Sequence, residues 1–164
     1  MEVIPGPATK PEVLQFFMDF GANLLGKQTV LCKDTPAFIA NRVGVYAMAK
    51  IYQLTVELDL KIEDVDAITG VAIGRPNTGT FKLGDLVGHD TAVNVIQGIK
   101  NNCPNDEQAS TFEIPTYLNY MLEQKFLGNK TGQGFYKKTS EKDANGKPIS
   151  LALDLKSLTY NAVA

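Results

Sequence analysis

The chain has 164 residues, of which 44% are hydrophobic and 21% charged, and its net charge is −2. This length and composition are sufficient for one globular domain with a real core. The charge gives no indication of a nucleic-acid partner, and no uncharged apolar run approaches the roughly 18 residues needed for a membrane span. No basic region followed by an apolar stretch marks a signal peptide, and the two separate cysteines favour a reducing, cytoplasmic setting.

The N-terminal part predicts a short strand followed by a helix. Residues 2–4 are strand-like and directly follow the first residue, which suggests a fragment of a longer chain. In residues 9–12, TKPE, Thr9 and Glu12 have the spacing of a capping box at a helix start. Apolar residues then recur at helical spacing, and Gly26 is the predicted C-cap.

Residues 33–58, KDTPAFIANRVGVYAMAKIYQLTVEL, predict a long helix around which the chain is organised. Asp34 or Thr35 is the predicted cap, with Pro36 at a position where a missing N–H does no harm. The apolar residues fall on two stripes, a pattern typical of a helix that is buried among other helices.

The remaining sequence predicts shorter helices, turn-rich loops and a tail. Helical patterns cover residues 61–69, 81–100 and 115–126. The apolar residues predicted to face inward from the first two are Val65, Ile68, Val71, Leu83, Leu86, Val87, Val93 and Ile96. Residues 127–136 contain three glycines, which indicate a tight loop. Residues 137–148 are charged and turn-rich and predict an exposed linker, whereas residues 150–160 alternate and predict a docked strand. The prediction is an all-α fold, a bundle of about five helices around the long helix, with a domain at 1–138 and a linker or tail at 139–164.

Most chemical motifs in the sequence are weak. The spacing Gly21-x4-Gly26-Lys27 lacks the Ser or Thr of a phosphate-binding loop, and Gly132-x-Gly134 lacks the third glycine of a dinucleotide fingerprint. One histidine and two distant cysteines cannot make a zinc site, so no metal site is expected. His89 has no partner for a nucleophilic triad, and a surface or partly buried helix position is favoured for it.

Asn41 and Arg42 interrupt the apolar wall of the long helix. A buried carboxamide must be hydrogen-bonded, because burying it bare costs on the order of 1–3 kcal/mol. Asn41 therefore either holds a ligand carbonyl or a catalytic group, or ties two helices together, and composition alone does not decide between these roles. Arg42 is expected to pair with a carboxylate, such as Asp85 or Glu2, or to reach a partner surface.

Several segments in order resemble one enzyme family. KDTPAFIANR resembles the K-D-[TS]-P-G-F-[IV]-x-N-R signature of the C-terminal domain of L-3-hydroxyacyl-CoA dehydrogenases. MEVIPGPATKPEV, LGKQTVLCKD, IEDVDAI, LGDLVGHDT and LGNKTGQGFYKK resemble further segments of that family at matching spacing. The resemblance covers about residues 1–138 and implies a helical fold similar to the C-terminal domain of 6-phosphogluconate dehydrogenases.

The resemblance also implies a function. The family's enzymes have an N-terminal Rossmann domain that binds NAD and a C-terminal helical domain that covers the acyl-CoA substrate and forms a homodimer. They oxidise 3-hydroxyacyl-CoA to 3-oxoacyl-CoA in fatty-acid β-oxidation, using a His as base and a Glu that orients it. Glu2 matches that Glu, and Asn41 matches an Asn that positions the substrate and the His. No cofactor-binding residue is expected in this chain, because NAD belongs to the missing Rossmann domain.

The chain also departs from the family pattern. Ala37 replaces the usual Gly, His89 stands where Leu is usual, and the loop GRPNTGTF differs from G-x-P-M-G-P-F by an apparent insertion. The catalytic His would lie upstream of the first residue, so the fragment alone is expected to be inactive. The tail resembles the segment that joins this domain to a hydratase-like domain in bacterial multifunctional proteins. The alternative interpretation is a non-catalytic helical dimerisation module, in which Asn41 is purely structural.

Overall fold

The computed structural model describes residues 1–142, 146 and 148–163. The chain divides into two compact units, residues 1–45 and 46–164. The longest helix of the described residues, α2 (Ala40–Glu57), begins in the first unit and continues into the second. Each unit has its own sheet, and the helices of the second unit surround the hydrophobic core.

The first unit begins with a parallel pair of strands joined by a helix. Strand β1 (Glu2–Val3) pairs with β2 (Val30–Leu31), and α1 (Pro11–Asp19) lies between them in the sequence. After Asp19 the helix continues as a π-helical turn, Phe20–Leu24. The cap residue of this turn is Leu25, and Gly26, the predicted C-cap, follows it as the left-handed residue, with φ of 60°. The Lys27 N–H closes the end by donating to the Gly21 carbonyl at 2.9 Å.

The capping box predicted at residues 9–12 does not form. Helix α1 begins at Pro11, and no side chain caps it. The Thr9 hydroxyl oxygen instead accepts the Gly6 N–H at 3.0 Å, and the Thr9 N–H donates to the Gly6 carbonyl at 3.0 Å. Thr9 therefore closes the turn before the helix, a local use of a hydroxyl that competes with helix capping.

Helix α2 begins later than the sequence predicts. Ala37 and Phe38 have φ of 63° and 50°, the left-handed conformation, so a right-handed helix cannot start at residues 34–36. The structure places the first residue at Ala40. The prediction that Asp34 or Thr35 caps this helix is therefore wrong.

Burial along α2 is restricted to one stripe. Its buried residues are Ala49, Tyr52 and Thr55. Val43 and Leu58, which the sequence pattern assigns to a buried face, are 65% and 60% exposed. The prediction that both apolar stripes are buried is therefore wrong within this chain.

Four further helices follow in the second unit: α3 (Ile62–Thr69), α4 (Phe81–Val87), α5 (His89–Asn102) and α6 (Thr116–Glu123). Helices α4 and α5 fall in the stretch predicted as one helix, which is broken at Gly88. This glycine has φ of 95°, and a Cβ placed on it would lie 3.0 Å from Lys130 Nζ. The break directs α4 and α5 differently, and no other residue type adopts that φ readily.

The tail forms an antiparallel sheet in the order β3-β4-β5, with β3 (Tyr136–Lys142), β4 (Pro148–Leu153) and β5 (Tyr160–Ala162). The predicted linker at 137–148 is therefore wrong for 137–142, while its residues 143–145 and 147 lie outside the described residues. The predicted docking of residues 150–160 as a strand is confirmed by β4, in which Ala152 and Leu153 are buried in the core. The domain boundary at residue 138 stays a prediction.

The core of the second unit joins five helices, α2 to α6, with the glycine-containing loop (residues 127–136) and the tail sheet. Its fully buried members include Phe81, Leu118, Met121 and Phe135. The predicted fold class, a bundle of about five helices around a long helix, is confirmed, with two small sheets added. Among the described residues, no helix is both long and apolar enough to cross a membrane.

Five apolar side chains that the sequence pattern points inward are exposed instead: Ile68, Val71, Leu83, Leu86 and Val87.

Candidate functional site

The Glu2 carboxylate lies at the N-terminus of α2. Its Oε1 accepts the Ile39 N–H at 2.9 Å and the Ala40 N–H at 2.8 Å. These are among the first N–H groups of the helix, which have no partner within it, and the helix dipole favours a negative charge there. Glu2 thus takes the capping role that the sequence assigns to Asp34 or Thr35.

These contacts determine the charge of Glu2. The two N–H donors, from Ala40 and then Ile39, hold the pKa of the Glu2 carboxyl below its ordinary value, and a smaller contribution comes from the Cys32 side chain. Glu2 is therefore ionised at neutral pH. Both donors bind the same oxygen, Oε1, so the second carboxylate oxygen takes no part in capping the helix. Such a carboxylate is suited to orient a neighbouring imidazole and stabilise its cation.

Asn41 follows directly in the first turn of α2. The structure therefore brings the two residues that the sequence assigns to catalysis to one place, the start of this helix. The Asn41 side chain is exposed and makes no hydrogen bond with the part of the chain that is described. Its amide is thus available to an external group and does not tie helices together within the first unit. Arg42 is partly buried, and its pairing with a particular carboxylate stays a prediction.

Cys32 is a buried residue close to this carboxylate. It is 3% exposed, and its thiol donates to the Val30 carbonyl, with Sγ 3.6 Å from the oxygen. Burial, followed by the neighbouring Glu2 charge, raises the pKa of the Cys32 thiol. The sequence alone uses Cys32 only as a sign of a reducing setting and gives it no role. Cys32 follows β2 directly, two residues after Val30, which pairs with Glu2, and this proximity is visible only once the parallel pairing of β1 and β2 is known.

His89 belongs to a different arrangement in the second unit. It is fully buried, so the prediction of a surface or partly buried position is wrong. Its Nε2 lies 2.8 Å from Asp85 Oδ1, and its Nδ1 is buried without a partner. Asp85 also accepts the Phe135 N–H on Oδ1 at 2.7 Å and the Tyr136 N–H on Oδ2 at 2.8 Å. The pair therefore anchors the glycine-containing loop to the core.

Asp66 forms a second buried centre that sequence reasoning missed. Its Oδ1 accepts the Thr80 and Phe81 N–H groups at 2.8 and 2.6 Å. Its Oδ2 accepts the Lys82 N–H and the Tyr136 hydroxyl. Asp66 thus caps α4, and burial raises its pKa against the effect of these donors.

The glycines of the loop at residues 127–136 do not form a phosphate site of the kind that binds NAD. Gly128 and Gly134 of the glycine-containing loop are needed for packing, since a Cβ on them would lie 2.3 Å from the Asp85 carbonyl oxygen and 2.1 Å from Asp85 Oδ1 respectively. They therefore enclose Asp85 and do not form a phosphate cradle at a helix start. Among the described residues, no three His, Cys, Asp or Glu side chains are grouped to hold a metal.

Comparison with known proteins identifies the family. The model of the family described as "3-hydroxyacyl-CoA dehydrogenase, C-terminal domain" matches residues 38–138. The chain is 43% identical to a probable 3-hydroxyacyl-CoA dehydrogenase of Bacillus subtilis over 98% of its own length and 19% of that protein. It is 33% identical to a putative fatty acid oxidation complex trifunctional enzyme of Rickettsia felis over 99% of its own length and 22% of that protein.

A solved structure agrees with these sequence matches. The 3-hydroxybutyryl-CoA dehydrogenase from Escherichia coli K12 superposes with a TM-score of 0.70 and 28% identity over 87% of this chain and 29% of that one. The chain thus spans about a fifth of the two curated relatives and less than a third of the solved one. The segment motifs, the helical fold and these matches agree, and the chain belongs to the 3-hydroxyacyl-CoA dehydrogenase family, of which it contains the C-terminal domain.

Proposed function

We propose that this chain is the substrate-covering and dimerisation part of an NAD-dependent 3-hydroxyacyl-CoA dehydrogenase that acts in fatty-acid β-oxidation. The observation that carries the proposal is the capped, ionised Glu2 carboxylate beside Asn41 at the start of α2. The family membership supplies the reaction class. In this proposal the NAD site and the catalytic His belong to a preceding Rossmann domain.

In this proposal Glu2 orients the catalytic imidazole. The Ile39 and Ala40 N–H groups fix Oε1, which leaves the other oxygen to accept the N–H of an imidazole from the preceding domain. The imidazole then removes the proton of the 3-hydroxyl, and the Glu2 charge stabilises the imidazolium that forms. A lowered pKa suits this role, because Glu2 must stay ionised while the imidazole gains a proton.

Asn41 is proposed to position the substrate. Its amide can donate to a carbonyl oxygen and accept from a hydroxyl group, and its exposure leaves both functions open to a ligand. Because an exposed Asn contributes little to stability, its replacement separates catalysis from folding. This distinguishes the proposal from the alternative, a non-catalytic helical dimerisation module in which Asn41 is purely structural.

The deciding experiment replaces Asn41 by Ala in the full-length dehydrogenase that contains this chain. We expect turnover with 3-hydroxybutyryl-CoA to fall by about a hundredfold or more, with the Tm unchanged. Asn94→Ala, an exposed Asn of α5, is the matched control and should keep full turnover. Loss of stability with full turnover would instead favour the structural module.

The isolated 164-residue chain is proposed to be inactive, because both the hydride acceptor site and the base lie outside it. NAD reduction by the pure chain with 3-hydroxybutyryl-CoA would contradict this. The substrate of the full-length enzyme is proposed to be an acyl-CoA, and its compartment the cytoplasm.

The exposed apolar side chains of α3 and α4 support a homodimer. Ile68, Leu83, Leu86 and Val87 are 57%, 42%, 63% and 48% exposed, which is unusual for a lone domain. Sedimentation of the Leu86→Lys variant should show a shift from dimer to monomer, whereas Asn94→Lys should leave the dimer intact.

A further inference from the structure

A cavity of the second unit lies between its helices and the tail sheet. It has a volume of about 500 Å³, and residues of α3, α4, the glycine-containing loop and the tail form its wall. Ser150 and Val163 of this wall lie beyond residue 138, where the match to the family model ends. The tail therefore helps to build a cavity that the matched part of the chain does not form by itself.

Two lysines border this cavity. Side chains alternate along a strand, so Tyr136 and Lys138 of β3 project to one face of the tail sheet, and Ser150 is the cross-strand partner of Lys138. Lys82 of α4 reaches the same face, because its Nζ lies 5.2 Å from the centre of the Tyr136 ring. The ammonium groups of Lys82 and Lys138 are thus directed to one space from a helix and from a strand.

Neither lysine is neutralised by the described part of the chain. Lys100, Lys130 and Lys156 each form an ion pair with a carboxylate, whereas Lys82 and Lys138 form none with the described residues. Two positive charges at one cavity repel each other, so a negative group between them would be stabilised by both.

The other polar side chains of the wall include hydrogen-bonding groups without a partner. Thr78, Asn129 and Ser150 line the cavity, and none of their side chains is hydrogen-bonded to the described residues. Hydroxyl and amide groups of this kind can donate to an oxygen anion held by the lysines.

The acidic groups of the wall differ in what they leave free. Asp85 is buried, and its oxygens accept from His89 and from the Phe135 and Tyr136 N–H groups. Glu63 also lines the cavity, and its carboxylate accepts no hydrogen bond from the described residues. It can therefore accept a hydrogen bond from a hydroxyl or amino group of a ligand.

We propose that this cavity binds an organic phosphate of up to mononucleotide size, with its phosphate between Lys82 and Lys138 and its organic part toward Glu63 and Val163. A phosphate monoester carries about two negative charges and three acceptor oxygens, which match two ammonium groups and the neighbouring donors. A carboxylate, with one charge, would leave one lysine without a counter-charge. The cavity has the volume of a small-molecule site.

Two sources supply this chemistry: a free nucleotide, and the nucleotide end of an acyl-CoA, which is an adenosine 3′,5′-bisphosphate. Only the second source rests on the proposed function. The test therefore begins with NMR titration of the 164-residue chain, without catalysis, using AMP, adenosine 3′,5′-bisphosphate, inorganic phosphate and adenosine.

We expect saturable shifts of the Tyr136 and Ser150 amides, with a Kd below about 1 mM for at least one of the two nucleotides. Inorganic phosphate should shift the same amides at least about threefold more weakly, and adenosine should not shift them. Lys82→Ala and Lys138→Ala should each weaken nucleotide binding at least about fivefold. Lys100→Ala, an equal change of charge on α5, is the matched control and should have no effect.

All three lysines are exposed, so the variants are expected to fold, and dispersed amide spectra verify this. Missing shifts at Tyr136 and Ser150, or a Kd that is unaltered in both Lys82→Ala and Lys138→Ala, would overturn the proposal. Equal weakening by Lys100→Ala would also overturn it, because the binding would then follow net charge and not the cavity.

The two nucleotides distinguish the sources. If adenosine 3′,5′-bisphosphate binds at least about tenfold more tightly than AMP, the ligand is the nucleotide end of the acyl-CoA. In that case Lys82→Ala in the full-length dehydrogenase should raise KM for 3-hydroxybutyryl-CoA more than it lowers kcat. If AMP binds as tightly, the cavity takes a separate nucleotide. A full-length protein without dehydrogenase activity would contradict the proposed function and leave the binding result of the 164-residue chain standing.

Discussion

Carboxylates accept backbone N–H groups in both units of this chain, but they do so in different ways. In the second unit, Asp66 and Asp85 are buried, and donors of the chain itself occupy both oxygens of each. In the first unit, Glu2 is partly exposed and caps α2 with one oxygen only. A carboxylate whose two oxygens both accept hydrogen bonds from the chain holds parts of the fold together. One that uses a single oxygen in this way can also bind another molecule through its second oxygen.

The cost of removing a carboxylate should follow this difference. Replacing Asp85 by Ala leaves the Phe135 N–H, the Tyr136 N–H and His89 Nε2 without their acceptor inside the core. We expect the free energy of unfolding of the 164-residue chain, measured with urea, to fall by about 3 kcal/mol or more. Asp90→Ala removes a carboxylate paired with Lys130 at the surface and should cost less than about 1 kcal/mol. Equal losses of stability in Asp85→Ala and Asp90→Ala would contradict the structural role assigned to the buried carboxylate.

The pH dependence of stability should have opposite signs at Glu2 and Asp66. The pKa of Glu2 is lowered in the fold, so its carboxylate contributes stability above its ordinary pKa that is lost as the pH falls through the folded value. The pKa of Asp66 is raised by burial, so stability is lost as the pH rises from the ordinary value through the folded one.

Urea denaturation between about pH 3 and about pH 7 measures both effects. Relative to Glu2→Gln, the unchanged chain should gain stability as the pH rises. Relative to Asp66→Asn, it should lose stability over the same window. Asn94→Asp at an exposed position of α5 provides the reference for an ordinary carboxyl. If stability changed with pH in the same direction at Glu2 and Asp66, the opposite pKa shifts assigned to the two carboxyls would be wrong.

The helices were predictable from the sequence, but their ends and inner faces were not. Periodicity identified α2, α3 and α6, because an amphipathic pattern is local. The start of α2 was misplaced because its cap, Glu2, lies 37 residues from Ile39 along the chain, and the cap of α4, Asp66, lies 14 residues from Thr80. A cap that comes from a distant residue leaves no local signature.

The site was predictable only through the family resemblance. Residue types alone left Asn41 between a ligand-binding and a structural role and gave Glu2 no role except as one candidate partner of Arg42. The resemblance named both residues, and the structure places them at the start of one helix. The inner face of α4 was assigned wrongly because Asp85 is buried there while Leu83 and Leu86 are exposed, the reverse of the ordinary preference.

The turn before α2 contains strain that a single substitution should relieve. Ala37 has φ of 63°, a conformation that costs an L-residue roughly 1–2 kcal/mol and glycine almost nothing. Ala37→Gly should therefore raise the free energy of unfolding by about 0.5–1 kcal/mol, after the added flexibility of the unfolded chain is subtracted. Ala67→Gly, in the middle of the right-handed helix α3, should lower it by about 1 kcal/mol. Destabilisation by Ala37→Gly would contradict the left-handed turn that presents the helix N–H groups to Glu2.

The smallest expected effect concerns His89. Its Nε2 donates to Asp85, but its Nδ1 is buried without a partner, so one favourable and one unfavourable contribution oppose each other. His89→Leu removes both and keeps a buried apolar side chain next to Phe135. We expect urea unfolding to show a change of less than about 1 kcal/mol, because Asp85 keeps its two backbone donors. His89→Ala, which adds a cavity, should cost at least about 1 kcal/mol more than His89→Leu. A large loss in His89→Leu would mean that the imidazole, and not the backbone of the loop, is the main partner of Asp85.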